Sequence, residues 1–304
     1  MRVDGKDKHL VVILGPTAIG KTDISIQLAK HFNTEIISAD SRQFYKEIQI
    51  GTAKPTIKEM QGITHYFIDT LELHDNYNVY TYEREVLDLL DALFKTRDVI
   101  IMVGGSGLYI DAVCNGIDEL PDADEELRQK LKNNYKSKGI EYLQDKLKKL
   151  DPDFFEIVDQ NNPNRLMRAI EVCEMTGIPF SKLRKSKTAD RNFNILKIGL
   201  NTDRKVLFDK INRRVDEMMD AGLLDEAKEV YKFKDFNSLN TVGYKEIFQF
   251  LDGKESLEWA VEKIKTNSRR YAKRQLTWFN RDESITWFEP DNLNEIKEFI
   301  NLSF

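Results

Sequence analysis

Cysteine is scarce in this 304-residue chain: Cys114 and Cys173 stand far apart, with no partner at metal or redox spacing. Both therefore read as small apolar residues of the interior rather than ligands. The four histidines, His9, His31, His65 and His74, are equally scattered, and no two stand four residues apart. No zinc site is expected. No stretch approaches the roughly 20 apolar residues of a membrane-spanning helix, so no membrane partner is expected either. The first nine residues are polar and run straight into an apolar segment, without the apolar region of a signal peptide. The expected compartment is the cytoplasm. No internal repeat or low-complexity tract stands out, and nothing demands an obligatory protein partner or more than a monomer.

What is present suits a folded enzyme. Hydrophobic residues make up 41% of the chain, enough for a core, and charged residues 32%. The formal net charge of -5 argues against a nucleic-acid partner only if read as a sum. Acidic residues gather over 118–126, whereas 182–191 and 263–281 are strongly basic. The distribution leaves room for RNA.

Short apolar runs punctuate the chain. HLVVIL (9–14), EIISA (35–39), DVIIMV (98–103), ILKIGL (195–200) and ITWF (285–288) read as strands. Helical patterns lie between them, beginning with 21–31. This alternation predicts an α/β fold, a parallel sheet with helices on both faces. Between 121 and 191 the sequence turns charged and helix-favouring, with a break at Asp151 and Pro152. The expected organisation is an α/β core over 1–120 and 192–304, interrupted by a helical insertion over 121–191. A long amphipathic helix is expected near 257–279. In such folds ligands collect beyond the carboxyl ends of the strands. That places residues 15–22, Asp40 and the GGSG of 104–107 on one rim.

GPTAIGKT (15–22) fits the pattern G-x-x-x-x-G-K-[ST], with an apolar strand before it and a helix after. Gly15, Pro16, Thr17, Ala18, Ile19 and Gly20 would turn backbone N–H groups around phosphate oxygens at a positive helix start. Lys21 adds a point charge, and the Thr22 hydroxyl can reach a metal ion or a phosphate. The bland alternative is a glycine turn opening an ordinary helix. The loop says phosphate rather than ATP. A kinase would normally carry an acidic residue after an apolar strand to hold magnesium, whereas 99–103 runs into GGSG.

Several further segments carry a resemblance over nearly the whole chain. They are ISADSRQFYKEIQIGTAKP (37–55), GGSGLYI (104–110), LPDADEELR (120–128), NRLMRAIEV (164–172), GLNTDR (199–204), INRRVDEMMDAGLLDE (211–226), VGYKE (242–246) and RRYAKRQLTWF (269–279). With the phosphate loop, this ordered set resembles the bacterial tRNA dimethylallyltransferases, the tRNA isopentenyl transferase family. The resemblance implies transfer of a dimethylallyl group from dimethylallyl diphosphate to N6 of the adenosine 3′ of the anticodon, with Mg²⁺ and release of pyrophosphate. It also implies that the loop holds the pyrophosphate without hydrolysing a nucleotide. Lys21, Thr22 and Mg²⁺ would stabilise the leaving charge. Arg214 would reach the phosphates, ahead of its neighbour Arg213; without the resemblance either is an exposed helix charge. Asp40 would accept the amine's proton or orient the amine; alone, it reads equally as a turn or cap residue.

The tRNA contacts implied by the resemblance begin with Asp40, Ser41, Arg42 and Gln43, and continue with Ser106 and Arg128. Ser106 stands where the family usually has threonine, and Ile19 where a small residue is common. Asn164, Arg165, Leu166, Met167 and Arg168, with Arg269, Arg270, Lys273 and Arg274, would meet the anticodon stem-loop. The target base must leave its stack to be reached. On residues alone, Ala260, Ile264, Ala272, Leu276 and Phe279 form an apolar stripe, and the neighbouring cations are equally a solvated face. Tyr271, Trp278 and Trp287 read as core. Two alternatives stay open: a transferase acting on free adenosine phosphates, and a small-molecule kinase.

Overall fold

The computed structural model describes residues 7–184 and 189–304. Of the basic run over 182–191, positions 185–188 lie outside the described residues. The chain forms two compact units, one taking the chain as far as Asn115 together with Asp190–Phe304, the other Gly116–Ala189.

In the larger unit the chain runs β1 (His9–Leu14), α1 (Lys21–Phe32), β2 (Ile36–Ser38), α2 (Ile57–Met60), β3 (His65–Tyr66), α3 (Val79–Leu93), β4 (Val99–Gly104) and α4 (Gly107–Asn115). The smaller unit then supplies α5 (Glu125–Lys138), α6 (Ile140–Leu150), α7 (Pro152–Ile157), α8 (Pro163–Thr176) and α9 (Phe180–Leu183). Back in the larger unit come β5 (Asn194–Leu200), α10 (Arg204–Asp220), α11 (Leu223–Val230), α12 (Tyr244–Leu251), α13 (Leu257–Phe279), β6 (Ile285–Phe288) and α14 (Leu293–Ser303).

The strands form one six-stranded sheet in the order β3-β2-β4-β1-β5-β6, and every pairing is parallel. The α/β fold expected from the alternation is the fold observed. Strand β1 shows why its apolar run is continuous. Leu10, Val12 and Leu14 enter one apolar cluster, with Tyr82 and Val86 of α3; Val11 and Ile13 enter another, with Leu28 of α1 and Ile211 of α10. A strand covered on both faces has no side left for polar residues. A third cluster joins α11, α12 and α13 around Tyr244, Ile247 and Ile264.

One element departs from the sequence reading. Strand β3 was not expected, because two half-buried residues carry no periodicity to read. Strand β2 does not lie beside β1: β4 separates them. Asp40 therefore approaches the phosphate loop by way of the connection after β2, not from a neighbouring strand.

The smaller unit has its own core, built from Leu131 of α5, Leu143 and Leu147 of α6, Phe154 of α7, and Leu166, Ile170 and Cys173 of α8. Its break falls at the positions read from sequence. Asp151 caps α7, its carboxylate accepting from the Phe154 amide at 3.0 Å, and Pro152 opens the helix where no N–H is needed.

Gly15, the first residue after β1, has φ +149°, and a Cβ there would lie 2.5 Å from the Leu200 carbonyl oxygen at the end of β5. Gly15→Ala must therefore push the ends of β1 and β5 apart. It is expected to lower stability by about 1–3 kcal/mol, read as a fall in the urea midpoint at unchanged slope; an unshifted midpoint would show that the contact is not enforced.

Candidate functional site

The phosphate loop is shaped by backbone rather than side chains. Ala18 (φ 63°) and Gly20 (φ 105°) both take left-handed conformations, and Gly20 gives α1 no side-chain cap. The first amides of α1 thus receive no side-chain acceptor, the arrangement that suits an anion. Pro16 and Ile19 are buried. Ile19 joins the apolar cluster under the sheet, so its bulk faces away from the loop opening. Lys21 folds back, donating from Nζ to the carbonyls of Gly15 at 3.0 Å and Pro16 at 2.8 Å.

Lys21, Asp40 and Arg214 form an electrostatically coupled set. Burial lowers the Lys21 ammonium to about 8, with Asp40 opposing the fall and Arg214 adding to it. Burial raises Asp40 above its ordinary value; a hydrogen bond from the Arg42 amide, then Lys21, Arg42 and Arg214, resist the rise. Burial also lowers Arg214, which acidic residues including Asp40 oppose. Arg213, by contrast, points to solvent. The bland role for Asp40 is present too. Its Oδ1 accepts from the Arg42 amide at 3.1 Å, and its carbonyl accepts from the Gln43 amide at 3.0 Å, closing a turn.

Asp40 lies on two cavities. The larger, about 110 Å³, is lined by Thr17, Ala18, Asp40, Arg42 and Arg214 together with apolar residues of α10 and α13. The smaller, about 40 Å³, is lined by Lys21, Thr22, Ser38, Asp40, Gln43 and Gly104, among others. No group of three or more His, Cys, Asp or Glu side chains is arranged to hold a metal among the described residues. Magnesium that arrives with substrate phosphates needs only one or two protein ligands. The Thr22 hydroxyl beside Asp40 fits that sparse demand.

The segment after Asp40 is largely tied into the protein. Ser41 donates its amide to Ser106 Oγ at 3.0 Å, and the two hydroxyls are 3.3 Å apart. Arg42 donates to the carbonyls of Asn237 (2.9 Å) and Ser238 (3.1 Å), and Gln43 to those of Thr52 (3.3 Å) and Ala53 (3.2 Å). On α13, Arg270, Lys273 and Arg274 are exposed, with Arg274 5.6 Å from the Tyr271 ring centre. Arg269 is half-buried and donates to Asn212 and, at 2.9 Å, to Thr266. Tyr271, read from sequence as core, instead lines the larger cavity.

In the smaller unit the run 164–168 splits. Asn164 and Arg165 are exposed and line a surface cavity of about 530 Å³. Leu166 and Met167 pack their side chains into that unit's core as the apolar face of α8, which leaves their backbone for contact with RNA. Arg128 and Arg168 both donate at 2.9 Å to one oxygen of Glu171, a carboxylate only 1% exposed, and Arg168 also reaches the Pro121 carbonyl at 2.6 Å.

Two residues escaped the sequence reading. Gln275 is buried; its Oε1 accepts from the Thr17 amide at 2.8 Å, and its Nε2 donates to the Gly105 carbonyl at 2.9 Å. It binds the phosphate loop to the second glycine-rich turn. A polar residue three positions after Ala272 and four before Phe279, on the apolar stripe itself, was the signal. Glu226 gathers the amides of Gln49 (2.8 Å), Ile50 (2.7 Å) and Gly51 (2.9 Å), and Tyr244 donates to it as well. It fixes the wall of the larger cavity at Gly51.

A parallel sheet bearing a GPTAIGKT loop at its carboxyl edge, with a lysine and a half-buried carboxylate beside it, defines a P-loop α/β protein suited to grip phosphate. The IPP transferase family model matches residues 43–282. The chain belongs to the IPP transferase family. It is 49% identical over 296 residues to tRNA dimethylallyltransferase 1 of Bacteroides fragilis, covering 97% of this chain and 98% of that one. It is 50% identical over 293 residues to the tRNA dimethylallyltransferase of Christiangramia forsetii, covering 96% and 97%. Among solved structures, the tRNA isopentenylpyrophosphate transferase of Bacillus halodurans superposes with a TM-score of 0.71 at 41% identity, over 97% of this chain and 96% of that one. A eukaryotic dimethylallyltransferase solved acting on tRNA gives 0.79 at 28% identity, over 94% and 75%.

The lowered Lys21 predicts a pH dependence. The ammonium is the form that attracts an anion, and in the free protein it begins to be lost near pH 8. Above that pH, binding must first restore the proton. Pyrophosphate affinity, measured by calorimetry, should therefore fall by up to about tenfold per pH unit above 8 relative to Lys21→Met, which cancels the ligand's own titration. Parallel profiles for the two proteins would contradict it.

Proposed function

We propose that this chain transfers a dimethylallyl group from dimethylallyl diphosphate to N6 of the adenosine 3′ of the anticodon in tRNA, releasing pyrophosphate. The observation that carries the reading is the half-buried Asp40, electrostatically coupled to Lys21 and Arg214 and lining a partly apolar cavity with Thr17 and Ala18 of the phosphate loop. The names of the relatives support the same reaction.

An exocyclic adenine amine is a weak nucleophile, because its lone pair is delocalised into the ring. The donor must therefore leave easily. In the step proposed, N6 bonds to C1 of the dimethylallyl group while the C1–O bond breaks and its electron pair goes to pyrophosphate. N6 gives one proton to the Asp40 carboxylate. Lys21, Arg214 and the loop amides face the charge that grows on the leaving group, the place where fixed dipoles and charges accelerate most. Bound Mg²⁺, held through Thr22 and the phosphates, would supply further neutralisation of that charge. The apolar half of the larger cavity would take the dimethylallyl tail, with Arg42 and Tyr271 on the acceptor side.

For the RNA, the exposed Arg270, Lys273 and Arg274 on α13 offer phosphate contacts, and Asn164 and Arg165 do so in the smaller unit. Ser41 and Ser106 join them beside the target base. Arg128 and Arg168 would serve through cationic edges left free by Glu171, and Arg269 through the half-exposed face of its guanidinium. Such an enzyme works in the cytoplasm as a monomer.

The test incubates the protein with labelled dimethylallyl diphosphate, Mg²⁺ and either unmodified tRNA or AMP. Label is expected in tRNA. Label in AMP alone would select a free-nucleotide enzyme, and label in neither would remove the transfer reading. Asp40→Ala should lower kcat by about 10²–10⁴-fold with pyrophosphate affinity nearly unchanged by calorimetry. Undiminished turnover would reduce Asp40 to the turn residue that its hydrogen bonds also describe.

A further inference from the structure

The larger cavity has a graded wall that reads as a ruler. Ile211, Arg214, Val215 and Met218 all line it, and all come from α10. Their spacing, i, i+3, i+4 and i+7, is one face of one helix. Ile211 packs into the apolar cluster shared with Ile19 of the phosphate loop. Val215 packs into the other cluster, with Ile264 and Tyr244. The helix therefore leads away from the phosphate grip. Arg214, coupled to Lys21 and Asp40, marks the phosphate end.

We propose that Met218 closes the far end of this cavity and limits the transferred prenyl group to five carbons. The inference rests on the reading of the cavity as the dimethylallyl site, and deepens it. Met218 stands four residues beyond Arg214, about 6 Å along the axis at 1.5 Å per residue. From C1 to its methyl carbons a dimethylallyl group reaches roughly 4 Å, three bonds of about 1.5 Å. Allowing for contact distance, its branched end meets the Met218 side chain. A geranyl group extends five carbons further and has nowhere to go. Volume agrees with length. The cavity measures about 110 Å³, whereas apolar cavities of roughly 150 Å³ take a six-carbon ring.

Met218 also differs in kind from the other apolar walls. Val215 and Ile264 are buried, so truncating them would leave a hole inside the protein. Met218 is half-buried, with a flank on solvent. Shortening it opens the end of the cavity towards the surface, and a longer chain can pass outward. A polarisable, unbranched thioether is suited to close against an alkenyl end.

The experiment gives unmodified tRNA and Mg²⁺ with either dimethylallyl or geranyl diphosphate to the native chain and to Met218→Ala, with the modified nucleoside weighed by mass spectrometry. The native chain should favour dimethylallyl diphosphate in kcat/KM by at least about tenfold. Met218→Ala should raise the geranyl-to-dimethylallyl ratio by at least about tenfold, its dimethylallyl rate falling as it loses its end contact. A melting curve shows that the variant is folded. Should it not fold, Met218→Val, which removes less, should give a smaller rise. A folded variant that transfers dimethylallyl with an unchanged ratio overturns the ruler and leaves the transfer reading intact. A native chain that uses both donors equally also overturns it. A native chain that transfers neither overturns the transfer reading, and the ruler with it.

Discussion

The site depends on three charges drawn close enough to couple and partly withdrawn from water. Taking a carboxylate, an ammonium and a guanidinium from solvent is costly by several kcal/mol each unless each finds a partner. Here Asp40 is coupled to both cations, and burial pushes all three towards their neutral forms: Lys21 and Arg214 down, Asp40 up. Arg214 also feels Glu217, Glu59 and Asp23, whereas Lys21, its fall opposed by Asp40, is left short of an anion. A diphosphate supplies that anion, and the loop amides at the start of α1 add their own dipoles. Until then Lys21 spends its protons on the Gly15 and Pro16 carbonyls, which keep it placed at the loop without satisfying its charge.

Much of the surrounding structure exists to keep those charges from relaxing apart. Gln275 spans from the Thr17 amide to the Gly105 carbonyl, so the phosphate loop and the turn after β4 are held by one side chain. Glu226 gathers three consecutive amides and the Tyr244 hydroxyl, so the cavity wall at Gly51 is held in place. The ring of Tyr244 passes so close that a Cβ on Gly51 would lie 2.6 Å from it. Gln275 is buried and Glu226 half-buried, and both have partners on each end, the condition under which polar networks rigidify rather than weaken a structure.

The fold was legible because strand and helix patterns are local. HLVVIL could only be a strand buried on both faces, and Asp151 with Pro152 could only end one helix and begin another. Where two residues pair at a sheet edge, as in β3, no periodicity exists to be read. The phosphate loop was legible for a different reason: its chemistry is carried by backbone and needs glycines at fixed spacing. A motif runs through consecutive residues, whereas a helix sends them to different sides: Leu166 and Met167 pack inward while Asn164 and Arg165 are exposed. Gln275 and Glu226 act across 258 and about 175 positions of sequence. A single sequence holds no trace of which amide such a side chain will find, only the oddity of a polar residue on an apolar face.

In the proposed reaction, the same two cations that stabilise a leaving pyrophosphate also weaken Asp40 as a base, and timing resolves the conflict. The Arg42 amide first, then Lys21, Arg42 and Arg214, pull against the burial that raises Asp40. On the reading proposed here, a bound diphosphate takes up their charge and places its own nearby, so the pull fades and the burial effect dominates. The carboxylate is then a stronger base at the moment a proton must leave N6. Each unit of rise is worth about 1.4 kcal/mol of proton affinity. When pyrophosphate departs, the uncovered cations favour the carboxylate form again and drive the proton off. Base strength thus rises with the donor and falls with the product, because one pair of cations serves both the leaving group and Asp40.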